Sequence, residues 1–247
     1  MPQLAKAREL FASLAAKYPE AEWTVLQPTE MKSEVGAKMD LQDDGSVFVY
    51  QVQPAQNDTY TLVLPTELKG IKGLRLEALA DSRLPGGGPG LGPDGNFLLS
   101  ELTLQAAPGG TPDNARAVAL RNALTDFSQT DCDVRGAVDG KTDTVWAIFP
   151  ELNKNHTAFF ELAEKVGDVQ PSRLTVRLNL IHHLLLGRFR VSVSDELGSI
   201  QTESKRLAAK KLTLPWSRLG AAYRALGESE KALAMFARLI ELAGTDQ

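Results

Sequence analysis

The sequence predicts a mainly β protein: a jelly roll or β-sandwich with flanking α-helices, closed by a C-terminal helical hairpin. Short period-two segments recur about every ten residues between 23 and 195, turn residues separate them, and helical spacing takes over at both ends.

Residues 1–20 read as an amphipathic helix. Leu4, Ala7, Phe11, Leu14 and Tyr18 recur at three and four, and Pro19 stops the run. From Trp23 the period changes. WTVLQP, SVFVYQV, TYTLVL, LRLEAL and NFLLSELTLQ are short, β-branched or aromatic, and are separated by DDG, PTELKG and a Gly/Pro loop. Tyr60, Leu62 and Leu64 share one strand face, with Thr61 and Val63 on the other; Leu74, Leu76 and Ala78 oppose Arg75, Glu77 and Leu79. Such half-polar strands suit antiparallel sheets with one wet face. After APGGTPDNA the pattern resumes with RAVALRNALTDFS, VWAIF, HTAFFELA, RLTVRLNL and RFRVSVS. The sandwich is expected over residues 22–195, in two similar halves, 22–107 and 110–195. DTYTLVLPTELKGIKGLRLEAL lies beside HTAFFELAEKVGDVQPSRLTVRLNL, strand–turn–strand in both, and NFLLSELTLQ answers GRFRVSVSD. Each half offers about five strands, the mean for one sheet, which favours one sandwich of about ten strands over two in tandem. Residues 196–214 form a polar, cationic linker, helical in part.

Composition narrows the function. Hydrophobic residues at 43% and charged residues at 23% give the ordinary globular balance, so a packed core is expected. A net charge of −4 argues against a general nucleic-acid binder, which carries a basic face to neutralise phosphates. The single Cys132 excludes an intramolecular disulfide. No apolar run reaches the ~20 residues of a membrane span, and the first residues lack a signal peptide's apolar core. Export would be directed by sequence outside this chain.

Residues 215–244 carry Trp216, Leu219, Gly220, Tyr223, Ala232 and Phe236 in the order and spacing W-x2-L-G-x2-Y, then A-x3-F. This resembles a tetratricopeptide repeat, which implies a helical hairpin that docks a protein partner or continues an array. Gly220 and Ala232 are small where the helices cross, Leu219, Tyr223 and Phe236 fill the space between them, and Gly227 ends the first helix at positive φ. Ala7, Phe11, Leu14 and Pro19 share the spacing of Ala232, Phe236, Leu239 and Gly244, so the β region can be read as interrupting an array.

AVDGKTDTVWAIF, residues 137–149, resembles the A-x-DG-x-x-x-T-x-W signature of discoidin-like, galactose-binding domains, with Asp139, Gly140, Thr144 and Trp146 on the matching positions. The larger set EWTVLQPTEMKS, DTYTLVL, LKGIKGLRLEAL, GPDGNFLLSELTL, DFSQ and LGRFRVSVS resembles an uncharacterised β-module of multidomain planctomycete-type bacterial proteins, found beside cytochrome-like domains or kinases. The resemblance implies a galactose-binding-like sandwich that binds ligand through loops at one end, and it favours an extracytoplasmic setting. On this reading Asp139, Gly140, Thr144 and Trp146 are structural, with Trp146 packed beneath the turn. Asp139 and Asp143 are weak calcium candidates, because a hard cation wants six to eight oxygens and this stretch supplies few. No other cofactor is implied.

The ligand-binding candidates are Asn96, Asn153, Asn155 and His156, polar residues in the end loops near 84–96 and 152–156. LPGGGPGLGPDGNF, residues 84–97, would either offer backbone amides and shape to a ligand or serve as a crossover between sheets. Three motifs read as turns. GKT lacks the spacing and helix of a phosphate loop, GLGPDG precedes a strand, and DCDVRG lacks a calcium loop's later acids. His182 and His183 could share a metal only in a turn. Asp131 and Asp133 would raise the Cys132 pKa. No catalytic constellation emerges. The chain therefore reads as a non-catalytic binding module, with a carbohydrate-like ligand for the sandwich and a protein partner for the helices. A structural spacer in a larger regulatory or surface protein is the alternative, and a sandwich-fold glycoside-acting enzyme the third reading.

Overall fold

Alternation in the sequence becomes two antiparallel sheets packed face to face. The structure, a computed structural model, describes residues 21–50, 57–109, 114–167, 170–211, 219–221, 223, 224 and 226–243. The N-terminal amphipathic segment, Trp216 and Gly244 lie outside them. The chain divides into two units, and residues 22–200 form the larger.

The described strands are β1 (Thr24–Val25), β2 (Glu30–Ser33), β3 (Lys38–Leu41), β4 (Val47–Tyr50), β5 (Asp58–Thr66), β6 (Ile71–Ala78), β7 (Leu99–Pro108), β8 (Arg116–Val118), β9 (Leu120–Thr125), β10 (His156–Val166), β11 (Ser172–Leu180) and β12 (Arg188–Ser194). One sheet runs β3-β4-β12-β6-β10-β9, with β1 paired to β12; the other runs β2-β5-β11-β7-β8. Strands of both sequence halves interleave in each sheet. β6 lies between β10 and β12, and β11 between β5 and β7. The runs β5-β6-β7 and β10-β11-β12 are therefore related by exchange of sheets, each central strand flanked by the other run's outer strands.

Register explains the core. Leu76 pairs with Ala158 and Val191, and Leu74 with Phe160 and Val193. In the facing sheet Val176 pairs with Leu62 and Leu104, and Leu178 with Tyr60 and Leu102. All of these are buried, and each large apolar side chain contributes about 1.5–3 kcal/mol by leaving water. Tyr60 is fully buried and keeps its hydroxyl satisfied by donating to the Leu186 carbonyl at 3.2 Å.

Four elements differ from the sequence expectation. VWAIF forms no strand; Trp146 makes only an isolated bridge with Leu99. WTVLQP reduces to the two residues of β1. β2 and β3, EMKS and KMDL, carry too little apolar alternation to announce themselves, as expected of short edge strands.

The polar linker becomes a helix, Ser199–Lys211, and in the smaller unit a further helix covers Ser229–Ala243. Residues 219–221, 223 and 224 are helical. Gly227 has φ +79°, and the Glu228 amide donates to the Tyr223 carbonyl at 2.9 Å, closing the first helix. A β-carbon on Gly220 would fall 2.7 Å from the Phe236 ring, so the two segments cross closely there. Leu219 and Ala232 are buried, while Tyr223 and Phe236 are half-buried. Among the described residues no helix is long and apolar enough to cross a membrane.

Candidate functional site

Pairing of Ala78 with His156 and Phe189, and of Leu180 with Asp58 and Leu99, sends loops 79–98, 126–155 and 181–187 out at one end of the sandwich. The Gly/Pro loop is the crossover from β6 in one sheet to β7 in the other. It folds on itself. The amides of Gly87, Gly88, Gly90, Gly92 and Gly95 donate to Leu84, Pro85, Gly95, Asn96 and Gly92 carbonyls. Those amides are engaged internally, which corrects the expectation that the loop offers them to a ligand. Glycine is required for approach: a β-carbon on Gly90 would fall 2.0 Å from the Asn96 carbonyl oxygen.

The four loop residues chosen from sequence lie at this end, and the structure uses all four to hold loops together. Asn96 is 6% exposed; its Nδ2 donates to Gln129 Oε1 at 3.2 Å and its Oδ1 accepts from the Ile148 amide at 3.1 Å. Gln129 Oε1 also accepts from the Phe149 amide at 3.2 Å. Asn153 donates its amide to the Gly88 carbonyl at 2.9 Å. Asn155 Oδ1 accepts from the Ala80 amide at 2.9 Å.

His156 is 3% exposed, with Nδ1 3.0 Å from Asp126 Oδ2 and Nε2 2.5 Å from the Glu151 carbonyl oxygen. Burial by itself lowers an imidazole pKa, but the Asp126 carboxylate and the Glu151 carbonyl outweigh it and leave His156 raised. Burial raises Asp126, yet His156 and the Thr157 amide prevail and hold it low. These polar side chains thus brace the 148–155 segment, which presents Phe149 at 50% exposure. Asn96 and His156 face inward and do not offer free groups to solvent.

The DG…W motif is a brace as well. Asp139 Oδ1 accepts from the Lys141 amide and the Thr144 hydroxyl, both at 2.9 Å. The Gly140 amide donates to Glu101 Oε2 at 3.1 Å. Trp146 is fully buried, edge-on to Phe97 at 5.0 Å, and donates Nε1–H to the Phe127 carbonyl at 3.0 Å. Among the described residues no group of three or more His, Cys, Asp or Glu is placed to hold a metal ion. Burial raises the Cys132 pKa first and Asp131 second. Asp133 instead pairs with Arg135.

The remaining feature is an open depression of about 420 Å³ lined by Phe48, Val49, Tyr50, Arg83, Leu84, Leu91 and His183. Phe48 and Tyr50 stack with ring centroids 6.4 Å apart and planes 26° apart. The Arg83 guanidinium lies 3.8 Å over the Phe48 ring. Its Nε and Nη2 donate to the two Asp81 oxygens at 2.9 and 2.7 Å, and Nη2 also reaches Gln42 Oε1 at 3.2 Å. Asp81 is held well below the carboxylate range, chiefly by its bonds from Arg83 and secondarily by Arg188, against its own burial. His182 and His183 have φ of +55° and +61°, and the Leu184 amide closes the turn on the Ile181 carbonyl at 3.1 Å. They do sit in a turn, of a kind that prefers Asn-Gly. Backbone strain is thus stored beside the depression.

Tyr50, Arg83 and His183 were not chosen from sequence. One signal was available: in SVFVYQV, if Val47 and Val49 face the core, Phe48 and Tyr50 must face outward together.

No protein-family model and no curated protein matches the chain. Solved structures similar to it include carbohydrate-binding modules. A β-sandwich-superfamily module described for promiscuous specificity is 12% identical over 73% of this chain and 58% of its own, with a TM-score of 0.27. A low-affinity xylan-binding module from Roseburia intestinalis is 14% identical over 65% and 96%, TM-score 0.19. A xylan-binding domain of carbohydrate-binding family 22 is 10% identical over 68% and 100%, TM-score 0.23. The chain spans 58% of the length of the first of these. Similarity at this level carries no inference about ligand, and the sandwich stands on the sheet pairings described above.

Proposed function

We propose that the sandwich is a non-catalytic ligand-binding module that takes a saccharide in the depression beside β4. The observation that carries the reading is the lining. A half-buried Tyr50 ring, an Arg83 fixed in place and His183 converge on one open concavity with Leu84 and Leu91 as apolar walls. A sugar ring has an apolar C–H face and a hydroxyl rim, and this combination of aromatic surface with a few placed polar groups matches both. A non-catalytic reading fits the described lining, whose polar groups are a phenol, a guanidinium and an imidazole.

The discoidin-like module and the tetratricopeptide repeat belong to the same proposal. The close approach of Gly220 to Phe236 and the positive φ of Gly227 support a repeat-like hairpin that docks a protein partner. A broad panel of neutral and acidic oligosaccharides, measured by calorimetry, tests the sandwich. Binding that Tyr50→Ala abolishes is the expected result. Silence across the whole panel would overturn the reading and favour a spacer domain.

A further inference from the structure

We infer that the saccharide taken by this depression is acidic: a uronate whose carboxylate seats on Arg83. The inference rests on the saccharide reading above and narrows it. Arg83 is the lining residue that carries a permanent charge, and that charge is positive. Arg83 is pre-positioned. Asp81 grips its Nε and Nη2, Gln42 takes the rest of Nη2, and Phe48 supports its face, while among the described residues Nη1 makes no bond. That edge keeps two N–H donors for an incoming anion, at little ordering cost.

Asp81 does not cancel the charge of Arg83, because it serves two arginines. Its Oδ2 also accepts from Arg188 Nη1 at 3.1 Å. Arg188 is shared in turn with Asp44 at 2.8 Å, Asp44 lies 3.9 Å from Arg190, and Arg190 is bidentate on Glu77 at 2.8 and 2.9 Å. Arg83 is thus the terminal cation of an alternating row, and the depression lies where the row opens to solvent. Behind Tyr50, whose ring lines the depression, the Tyr50 hydroxyl donates to Asp40 Oδ1 at 3.2 Å. The Asp40 charge would repel an anion, which favours the Arg83 side of the depression for the carboxylate.

The test uses the intact chain and matched ligands: homogalacturonan and glucuronoxylan oligosaccharides, each beside its carboxyl-reduced counterpart, in calorimetry at low and high salt. One charge-assisted contact predicts that an acidic form binds roughly tenfold tighter than its reduced partner. The preference shrinks as salt is raised. Arg83→Gln removes the preference and lowers the thermal transition only modestly, since Asp81 keeps Arg188 Nη1 at 3.1 Å. Equal or tighter binding of the reduced forms overturns the inference, as does a preference that survives Arg83→Gln; either result leaves the saccharide reading standing. No binding to any oligosaccharide, acidic or neutral, overturns the saccharide reading itself.

Discussion

Replacing His156 with alanine tests how the loop end of the sandwich is held together. The imidazole joins two segments, the Asp126 carboxylate at the end of β9 and the Glu151 carbonyl of the 148–155 segment. Removing one partner of a buried ion pair costs about 3–5 kcal/mol. Asp126 is 32% exposed and keeps the Thr157 amide at 2.8 Å and the Thr125 hydroxyl at 3.3 Å, so its charge is not stranded. That places His156→Ala near the low end, about 3 kcal/mol.

The same pair sets a pH window. The folded pKa of His156 lies above its ordinary 6.5, so its contribution is complete below 6.5 and is lost as pH rises through the folded value. Asp126 lies below its ordinary 3.8, so its contribution holds above 3.8 and is lost as pH falls through the folded value. Urea denaturation followed by tryptophan fluorescence reads the His156 effect between about pH 5 and about pH 9, and the Asp126 effect when the series is carried down to about pH 2. Wild type should lose stability toward the alkaline end and His156→Ala should not. Hydrogen exchange at the Asn153 amide should quicken in the variant. A loss under about 1 kcal/mol, or the same alkaline slope in both proteins, would refute the clasp.

Gly90→Ala should cost more than about 3 kcal/mol, because its β-carbon would meet the Asn96 carbonyl, whereas Gly140→Ala, with open space around φ +78°, should cost about 1 kcal/mol; thermal unfolding compares them. His182→Asn with His183→Gly should raise stability by about 1–2 kcal/mol in urea by relieving two left-handed residues, and should weaken saccharide binding through loss of the His183 side chain. Gly220→Val should lower the far-UV helical signal, since even a bare β-carbon there lies 2.7 Å from the Phe236 ring.

Much of the sheet structure was legible because one-sided burial writes alternation into the chain. Tyr60, Leu62, Leu64, Leu74, Leu76 and Ala78 could be assigned to the core face without coordinates, and all are buried. Val63 and Leu79 departed from the expected polar face and are also buried. Which strand pairs with which was not legible: β6 meets β10 and β12 through contacts that no local pattern records. At the loop end, polarity alone did not tell where a side chain points. Asn96 and His156 looked like solvent-facing loop residues, yet loops packed this densely leave backbone groups that only buried side chains can satisfy. Arg83 and His183 sit a hundred residues apart, and only the crossover loop and the 181–184 turn bring them to one depression.

The exchange of sheets between β5-β6-β7 and β10-β11-β12 has a consequence for how the chain acquires its shape. β6 cannot be flanked until residues 156–166 and 188–194 exist, and β11 waits on strands laid down long before it. Neither half can close a barrier against water by itself, so collapse must be concerted across the whole length. Non-local pairing of this kind makes for slow folding, with bare strand edges held open while the ribosome finishes the second half. A cut in the connection near residue 110 would therefore yield two fragments that are each without a fold, and that recover one only by finding each other.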